Sequence, residues 1–208
     1  MADAFAESGQ GPGGIRIRVK ICGITREEDI LLAVEAGASA VGIVMCSDSP
    51  RSVHSEQAGI LLDNAGPLTV TVIVTHTRDM EDIDSIIGLN PCALQISHPF
   101  PDLRGRGVKI IRSIRPGERI PDDCDALVVD ASQGKGLPYD PVYARKVVER
   151  STVPVILAGG LTPANVAGAI REVRPYAVDV ATGVESRPGI KDPEKVRAFM
   201  RACFGGTL

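Results

Sequence analysis

Two patterns of apolar and polar positions alternate along this chain. Short runs rich in β-branched residues, such as AVGIVM at 40–45 and TVTVIVT at 69–75, predict strands. Several of these runs are apolar throughout instead of alternating, which is typical of a parallel sheet that is covered by helices. The predicted strands are residues 16–21, 40–45, 69–75, 93–97, 108–114, 126–130, 154–158 and 176–181.

The segments between the strands predict six helices, and several of them carry capping signals. Thr25 and Glu28 have the spacing of a capping box at the start of the first helix, and Gly37 is placed to end it. Asp140 and Asp192 each precede a proline, the residue favoured at the first helical position. We expect helices at residues 25–36, 55–64, 79–87, 141–150, 162–174 and 193–203.

The connections after the fourth and fifth strands differ from the rest. The segments HPFPDLRGRG (98–107) and RPGERIPDD (115–123) are too rich in proline and glycine to predict good helices. Eight strand–helix units in residues 15–208 give about 24 residues per unit, which favours a single α/β domain, a closed (β/α)₈ TIM barrel. The alternative is an open doubly wound sheet, which commonly has roughly five or six strands. Residues 1–14, rich in glycine and without an apolar stretch, are expected to form a flexible leader.

Composition narrows the classes of function. Four Phe, three Tyr and no Trp occur in 208 residues, so the core must be aliphatic and stacking platforms for single-stranded nucleic acid are not expected. The net charge of −3 also argues against a partner with a phosphate backbone. No apolar run approaches the ~20 residues that cross a bilayer, so no membrane partner is expected either.

The five cysteines include no C-x-x-C pair, and their number is odd. Neither a zinc site nor a disulfide framework is therefore expected. Free thiols suit a reducing compartment, so the sequence predicts a cytoplasmic protein.

Chemistry-bearing side chains follow the strands at the end where TIM barrels hold their sites. Cys22 ends the first strand in KICGIT; it is either a small buried hydrophobe or a base or nucleophile whose thiol is ionised by the start of the next helix. Asp130 ends the sixth strand in LVVDAS, where a carboxylate is costly unless it caps, pairs or takes part in chemistry. Arg51, in SDSPRS after the second strand, is either solvated or binds an anion.

Two glycine-containing turns follow the last two strands. Gly159 and Gly160 stand in AGGLTPANV, and Thr182 and Gly183 stand in VDVATGVES. Glycine lets a backbone approach a ligand closely, and the start of a helix offers free N–H groups. Either turn alone could be an ordinary connection, but the two together after strands seven and eight predict a phosphate site.

Taken together, these motifs resemble the phosphoribosylanthranilate isomerase family. The features that carry the resemblance are KICGIT, the S-x-R loop, VVD, AGGLTPxNV, and VDVxTGVES followed by GIKDP, and they span nearly all of residues 17–203. The resemblance implies a single TIM barrel and an Amadori rearrangement of N-(5'-phosphoribosyl)anthranilate in tryptophan biosynthesis. It also implies a small phosphosugar substrate, no metal, no organic cofactor, and a monomer or homodimer.

The resemblance implies a role for each candidate residue. Asp130 matches the general acid that opens the ribose ring, and Cys22 matches the general base that removes the C2′ proton. Arg51 matches the residue that anchors the anthranilate carboxylate, and Asp179 matches an aspartate near the sugar. The phosphate is expected on backbone N–H groups around Gly159, Gly160, Thr182 and Gly183.

This chain departs from the family pattern in two places. The family commonly has QLHG or QxHS at the end of the fourth strand, whereas this chain reads QISH, so Ser97 takes the register of the histidine. His98 is displaced by one residue, which in a strand moves a side chain to the other face. The loop after the sixth strand reads GKGL at 134–137 where the family usually has GxGK.

Two other functions stay open. One is the isomerase of histidine biosynthesis, which performs the same rearrangement on a substrate with two phosphates; its family usually shows two similar half-barrels and paired aspartates. The other is a catalytically silent barrel that binds a phosphosugar, a reading that the QISH departure motivates.

Overall fold

The computed structural model describes residues 17–101, 103, 105–130 and 139–205. Eight parallel strands pair in chain order, and the eighth pairs with the first, so the sheet closes. This confirms the predicted (β/α)₈ TIM barrel and excludes the alternative of an open sheet. The strands of the barrel are β1 (Arg18–Cys22), β2 (Ala40–Met45), β3 (Val70–Thr75), β4 (Ala93–Ile96), β5 (Lys109–Ile114), β6 (Ala126–Val129), β7 (Val155–Leu157) and β8 (Ala177–Val180).

Six α-helices lie within the described residues. The predictions for Asp140 and Asp192 are confirmed, because each side chain accepts two backbone N–H groups at the start of its helix. As predicted, no helix follows β4 or β5 in the part of the chain that the structure describes. The helices are α1 (Glu27–Glu35), α2 (Ser55–Asn64), α3 (Met80–Gly88), α4 (Pro141–Arg150), α5 (Val166–Val173) and α6 (Pro193–Cys203).

The first helix begins later than predicted. Its N-cap is Arg26, without a side-chain cap bond, and α1 starts at Glu27. The hydroxyl of Thr25 donates instead to the carbonyl of Gly189 at 2.6 Å. The expected capping box of Thr25 and Glu28 is therefore wrong, because a distant part of the chain takes the hydroxyl that would have capped the helix.

The fifth helix also begins later than predicted, at Val166 instead of residue 162. The side chain of Asn165 accepts from the N–H of Thr162 at 2.7 Å and donates to the carbonyl of Gly160 at 2.9 Å. These two bonds hold residues 162–165 as a turn. The glycine turn after β7 is thus stabilised by a side chain of the next helix.

A short hairpin follows β8 that the sequence patterns do not predict. A 3₁₀ turn at Thr182–Val184 leads into β9 (Glu185–Arg187), which pairs antiparallel with β10 (Ile190–Lys191) before α6 begins. The expected leader at residues 1–14 and the GKGL segment lie outside the described residues. None of the described helices is long and apolar enough to cross a membrane.

The core has an inner and an outer part, and both are aliphatic, as the scarcity of aromatic residues predicts. On β1, Val19 and Ile21 are fully buried among the residues that pack between strands and helices. The alternate residues of the strands fill the barrel interior. That interior is built mainly from Val44, Val72, Val74, Ala93, Ile111, Val128, Ile156, Ala158 and Ala177.

Candidate active site

A cavity of about 360 Å³ opens at the carboxyl ends of the barrel strands. The parallel strands all point toward this end, so residues that directly follow them meet around it. Every candidate residue named from the sequence lines this cavity: Cys22, Arg51, Asp130, Gly159, Gly160, Asp179, Thr182 and Gly183.

Cys22 is the last residue of β1, and its thiol lies over Gly42 of the neighbouring strand. A Cβ atom on Gly42 would stand 2.7 Å from Cys22 Sγ and 3.1 Å from Lys20 Nζ. Residues two apart on a strand share a face, so both side chains point into the barrel. Gly42 thus leaves the space in which a thiol and an ammonium group meet.

Burial and neighbouring charges act in opposite directions on this thiol. Burial raises the pKa of Cys22 above its ordinary value, and the ammonium group of Lys20 is the strongest influence that lowers it. Asp179 raises the Cys22 pKa further, whereas Lys191 lowers it. The start of the next helix does not favour ionisation of the thiol as expected, because α1 begins five residues after Cys22 and has an acidic first turn. Lysines supply the positive charge near the thiol.

Lys20 and Asp179 form a salt bridge inside the barrel, which we call the inner ion pair. Lys20 Nζ donates to Asp179 Oδ2 at 2.9 Å, and both residues are buried. Burial lowers the pKa of Lys20, but Asp179 and Cys22 together outweigh burial, and the pKa stays above the usual lysine value. The other oxygen of Asp179, Oδ1, is buried without a described hydrogen-bond partner.

Arg51 belongs to a second cluster, which we call the outer ionic network and which consists of Arg51, Glu185 and Lys191. The Arg51 guanidinium donates Nε–H and Nη2–H to the two oxygens of Glu185 at 2.9 and 2.7 Å. Lys191 Nζ donates to Glu185 Oε1 at 2.9 Å and to the carbonyl of Cys22 at 2.6 Å. The network therefore connects the β9–β10 hairpin to the backbone of Cys22.

Two of the five N–H donors of the Arg51 guanidinium go to Glu185, and no described residue accepts a hydrogen bond from the other three. The Arg51 side chain lies across Gly23, where a Cβ atom would stand only 2.5 Å from Arg51 Cδ. Burial alone would raise the pKa of Glu185, but Arg51 and Lys191 hold it below its usual value. Two cations thus share one carboxylate, and the network carries one net positive charge beside the cavity.

The glycine turns after β7 and β8 touch each other. Gly159 and Gly160 have φ values of +97° and +59°, which place both in the left-handed region that favours glycine. A Cβ atom on Gly183 would clash with the carbonyl oxygen of Leu161, so the two turns pack backbone against backbone. Their chain segments form one continuous wall of the cavity.

Asp130 directly follows β6, and its N–H bonds to the carbonyl of Ile114 at 3.1 Å. Going around the barrel, β7 and β8 lie between β6 and β1. The carboxyl group of Asp130 and the thiol of Cys22 therefore approach the cavity from different sides, with the glycine turns between them.

The end of β4 places Ser97, and not His98, at the cavity. Ser97 lines the cavity beside Gln95, whose Nε2–H group donates to the hydroxyl of Ser113 at 3.1 Å. His98 packs its ring on Phe100, with 4.8 Å between the ring centroids. Burial lowers the pKa of His98 below its usual value. The one-residue shift seen in the sequence thus puts a hydroxyl group where the family commonly has an imidazole.

Sequence reasoning missed Lys20, Glu185 and Lys191. Glu185 and Lys191 stand in VES and GIKDP, two motifs that carry the family resemblance, but the sequence alone indicates no role for either residue. Lys20 stands two residues before Cys22, and that spacing is the signal that could have identified it.

Comparison with known proteins gives a consistent result for nearly the whole chain. The family model described as N-(5'phosphoribosyl)anthranilate (PRA) isomerase matches residues 19–202. An N-(5'-phosphoribosyl)anthranilate isomerase of Methanoregula boonei is 52% identical over 188 residues, which are 90% of this chain and 96% of that protein.

Solved structures are similar over the same span. The phosphoribosyl anthranilate isomerase of Thermus thermophilus superposes with a TM-score of 0.81 at 34% identity, covering 89% of this chain and 98% of the other. Another phosphoribosyl anthranilate isomerase, crystallised with reduced 1-(o-carboxyphenylamino)-1-deoxyribulose 5-phosphate, gives a TM-score of 0.75 at 30% identity and covers 90% and 98%.

Proposed function

Because this chain belongs to the phosphoribosylanthranilate isomerase family of tryptophan biosynthesis, we propose how its cavity performs the isomerisation. The substrate, N-(5'-phosphoribosyl)anthranilate, carries a phosphate, a furanose ring and an aromatic carboxylate. A relative that binds a reduced deoxyribulose 5-phosphate compound supports the same phosphosugar class of ligand for this chain. The observation that carries the proposal is the meeting of Cys22, Asp130, Arg51 and both glycine turns in one cavity.

Asp130 acts as the general acid and Cys22, as a thiolate, acts as the general base. Asp130 gives a proton to the ring oxygen, the C1′–O bond breaks, and the nitrogen lone pair forms a Schiff base at C1′. Cys22 takes the C2′ proton, the electrons of that C–H bond form the enolamine double bond, and the C=N electrons return to nitrogen. Movement of the enol proton to C1′ then yields the ketone. One proton leaves Asp130 and one arrives at Cys22, so exchange with solvent resets both groups.

The order of strands around the barrel is compatible with Asp130 as the acid and Cys22 as the base. The acid follows β6, the glycine turns follow β7 and β8, and the base ends β1, and these four strands are consecutive neighbours. A phosphate held by the two turns would fix the sugar between the acid and the base. Holding a substrate in this way is itself a large part of catalysis.

The outer ionic network supplies the site for the anthranilate carboxylate. Arg51 uses one edge of its guanidinium on Glu185, which fixes the orientation of the plane. The net positive charge of Arg51, Glu185 and Lys191 favours an anionic ligand in the adjoining cavity, because buried charges are stable when they are balanced. The carboxylate of the substrate provides that balance.

The phosphate binds the backbone of the two touching glycine turns, around Gly159, Gly160, Thr182 and Gly183. Backbone N–H groups in such turns bind anions without a charged side chain. Asp179 Oδ1, a buried acceptor in the cavity wall with no described partner, is suited to accept a hydrogen bond from a sugar hydroxyl.

The proposal is tested with freshly prepared phosphoribosylanthranilate, whose anthranilate-type fluorescence is lost on isomerisation. We expect turnover with the unaltered chain, and a fall in kcat of about 10²- to 10⁴-fold for Cys22→Ala and for Asp130→Asn, since each removes one proton-transfer group. Cys92→Ala is the matched control, because Cys92 is exposed and contacts Thr71 outside the cavity.

Two results would overturn parts of the proposal. Absence of turnover above the buffer rate in the unaltered chain would reject the isomerase. Full activity of Cys22→Ala would reject the thiol as the base while leaving the family function intact.

A further inference from the structure

Lys20 occupies a position that stability does not explain. Most neighbours in the barrel interior are Val, Ile and Ala, yet Lys20 and Asp179 bury a cation and an anion there, with only 2% and 8% of their surfaces exposed. Replacing a buried ion pair by apolar residues is often neutral or stabilising, because both charges lose their hydration. The inner ion pair therefore points to a role in the chemistry of the cavity.

The position of the ammonium group identifies what it acts on. Lys20 Nζ and Cys22 Sγ lie 3.1 and 2.7 Å from the point where a Cβ of Gly42 would stand, so they are at most about 6 Å apart. At such a separation an opposite charge stabilises an ionised group substantially. The absence of a side chain at Gly42 is what allows this approach.

Other charges around Cys22 do not replace Lys20. Asp179, on β8, disfavours the thiolate, whereas Lys191, on β10, favours it but less strongly than Lys20 does. Arg51, between β2 and α2, also interacts electrostatically with the thiolate, but two hydrogen bonds to Glu185 hold its guanidinium in place. Burial works against ionisation, so a cation directly beside the sulfur is needed if Cys22 is to act as a base.

We infer that Lys20 is a positioning residue that stabilises the thiolate form of Cys22 over Gly42, with Asp179 as the counter-ion that orients the ammonium group. This role rests on the proposed function of Cys22 as a general base. An ammonium group has three N–H donors, and one goes to Asp179 Oδ2, which leaves donors for the sulfur. Once the thiol has given its proton to solvent, these donors stabilise the thiolate that takes the C2′ proton.

The experiment titrates Cys22 directly by the ultraviolet absorbance of its thiolate. Each background is measured with and without Cys22→Ser, so that the difference isolates this thiol from the other four cysteines. The key variant is Lys20→Met combined with Asp179→Asn, which removes both charges and leaves no buried ion unpaired. Lys109→Met is the matched control, since Lys109 forms an exposed ion pair with Asp125.

We expect ionisation of Cys22 in the double variant to move to higher pH by about 1 to 3 pH units. Near neutral pH, kcat falls by about 10-fold or more and recovers as the pH is raised. The single change Asp179→Asn removes the anion but keeps the cation, so it should move the Cys22 titration in the opposite direction. Lys20→Gln alone removes the cation and keeps an N–H donor for Asp179 Oδ2, so it should again move the Cys22 titration to higher pH and keeps the test decisive if the double variant does not fold.

The two ideas fail in different ways. If the unaltered chain turns over substrate but removal of Lys20 does not move the Cys22 titration to higher pH, Lys20 does not act on the thiol and the inference is wrong. If the titrations move as expected but the unaltered chain is inactive, the proposed function is wrong while the action of Lys20 on Cys22 stands.

Discussion

Two clusters of buried charge flank Cys22, and they differ in how fully their carboxylates are hydrogen-bonded. The inner ion pair balances one cation with one anion and retains a carboxylate oxygen, Asp179 Oδ1, without a described partner. In the outer ionic network, both oxygens of Glu185 accept hydrogen bonds from cations, and the N–H of Gly189 adds another at 3.2 Å. A carboxylate whose oxygens are all hydrogen-bonded is typical of a structural ion pair, whereas a buried acceptor without a described partner is often found at a functional site.

The difference also lies in what each cluster connects. The outer ionic network links Arg51, in the connection after β2, to Glu185 in the β9–β10 hairpin, and these two segments do not pair as strands. The inner ion pair joins β1 to β8, which already pair directly at Lys20 and Asp179. Removing the first should therefore loosen the architecture of the cavity, and removing the second should change the ionisation of the thiol.

The largest effect is expected for Glu185→Gln, which leaves two buried cations without a carboxylate. We expect the free energy of unfolding to fall by about 3–5 kcal/mol, as for other broken buried ion pairs. KM should rise because Arg51 loses its fixed orientation, while the pH profile of kcat should keep its shape. Denaturant unfolding and steady-state kinetics measure these quantities.

Lys109→Met is the control for this prediction, since an exposed ion pair contributes less than about 1 kcal/mol. The side chain of Lys109 is 74% exposed, whereas that of Lys191 in the outer ionic network is 0% exposed. A loss of stability in Glu185→Gln no greater than in this control would mean that the network is not a framework. A shifted pH profile of kcat in Glu185→Gln would mean that the outer ionic network also affects ionisation in the cavity. The proposed difference between the two clusters would then not hold.

An intermediate effect is expected for Gly42→Ala, which probes the inner ion pair without removing a charge. The added Cβ would displace Cys22 Sγ and Lys20 Nζ, from which it would stand 2.7 and 3.1 Å away. Displacement of a reacting group by about 1 Å can lower a rate by about 10²-fold, and we expect a fall in kcat of that order. The unfolding free energy should fall by only about 1–3 kcal/mol.

Gly59→Ala is the matched control for Gly42→Ala, because nothing lies within 4 Å of a Cβ at Gly59 in α2. It should leave kcat unchanged and stabilise the chain slightly, since alanine favours a helix over glycine. Equal activity in the two glycine variants would show that the meeting of thiol and ammonium over Gly42 has no bearing on turnover.

Elements with local signals could be predicted from the sequence. The starts of α4 and α6 follow from Asp140 and Asp192, each of which caps its helix directly before a proline. The eight apolar runs predict the eight strands of the barrel. The residues at the ends of these runs predict where the cavity lies. The start of α1 could not be predicted in this way, because the partner of Thr25 lies 164 residues further along the chain.

The orientation of Lys20 shows why the site could be predicted only in part. An alternating strand such as RVKIC usually turns its polar residues to water. Here Val19 and Ile21 pack toward the helices, so Lys20 points into the barrel, and only closure of the sheet produces that reversal. The pairing of Arg51 with Glu185 depends likewise on the hairpin after β8, which the apolar and polar pattern of the sequence does not predict.

The smallest effect concerns acid, and it separates the charge of Glu185 from its shape. Burial alone would raise the Glu185 pKa, but Arg51 and Lys191 hold it below its usual value, so the folded chain binds this proton less readily than the unfolded chain. The stability from this group is therefore present above the unfolded pKa and is lost as the pH falls through the folded one. The gap in unfolding free energy between the unaltered chain and Glu185→Gln should be widest near neutral pH and should narrow below the usual range for glutamate, because a protonated glutamate resembles glutamine. Urea unfolding of both proteins at a series of pH values measures the gap, and a constant gap would mean that Glu185 stabilises the outer ionic network through its shape and hydrogen bonds, not through its charge.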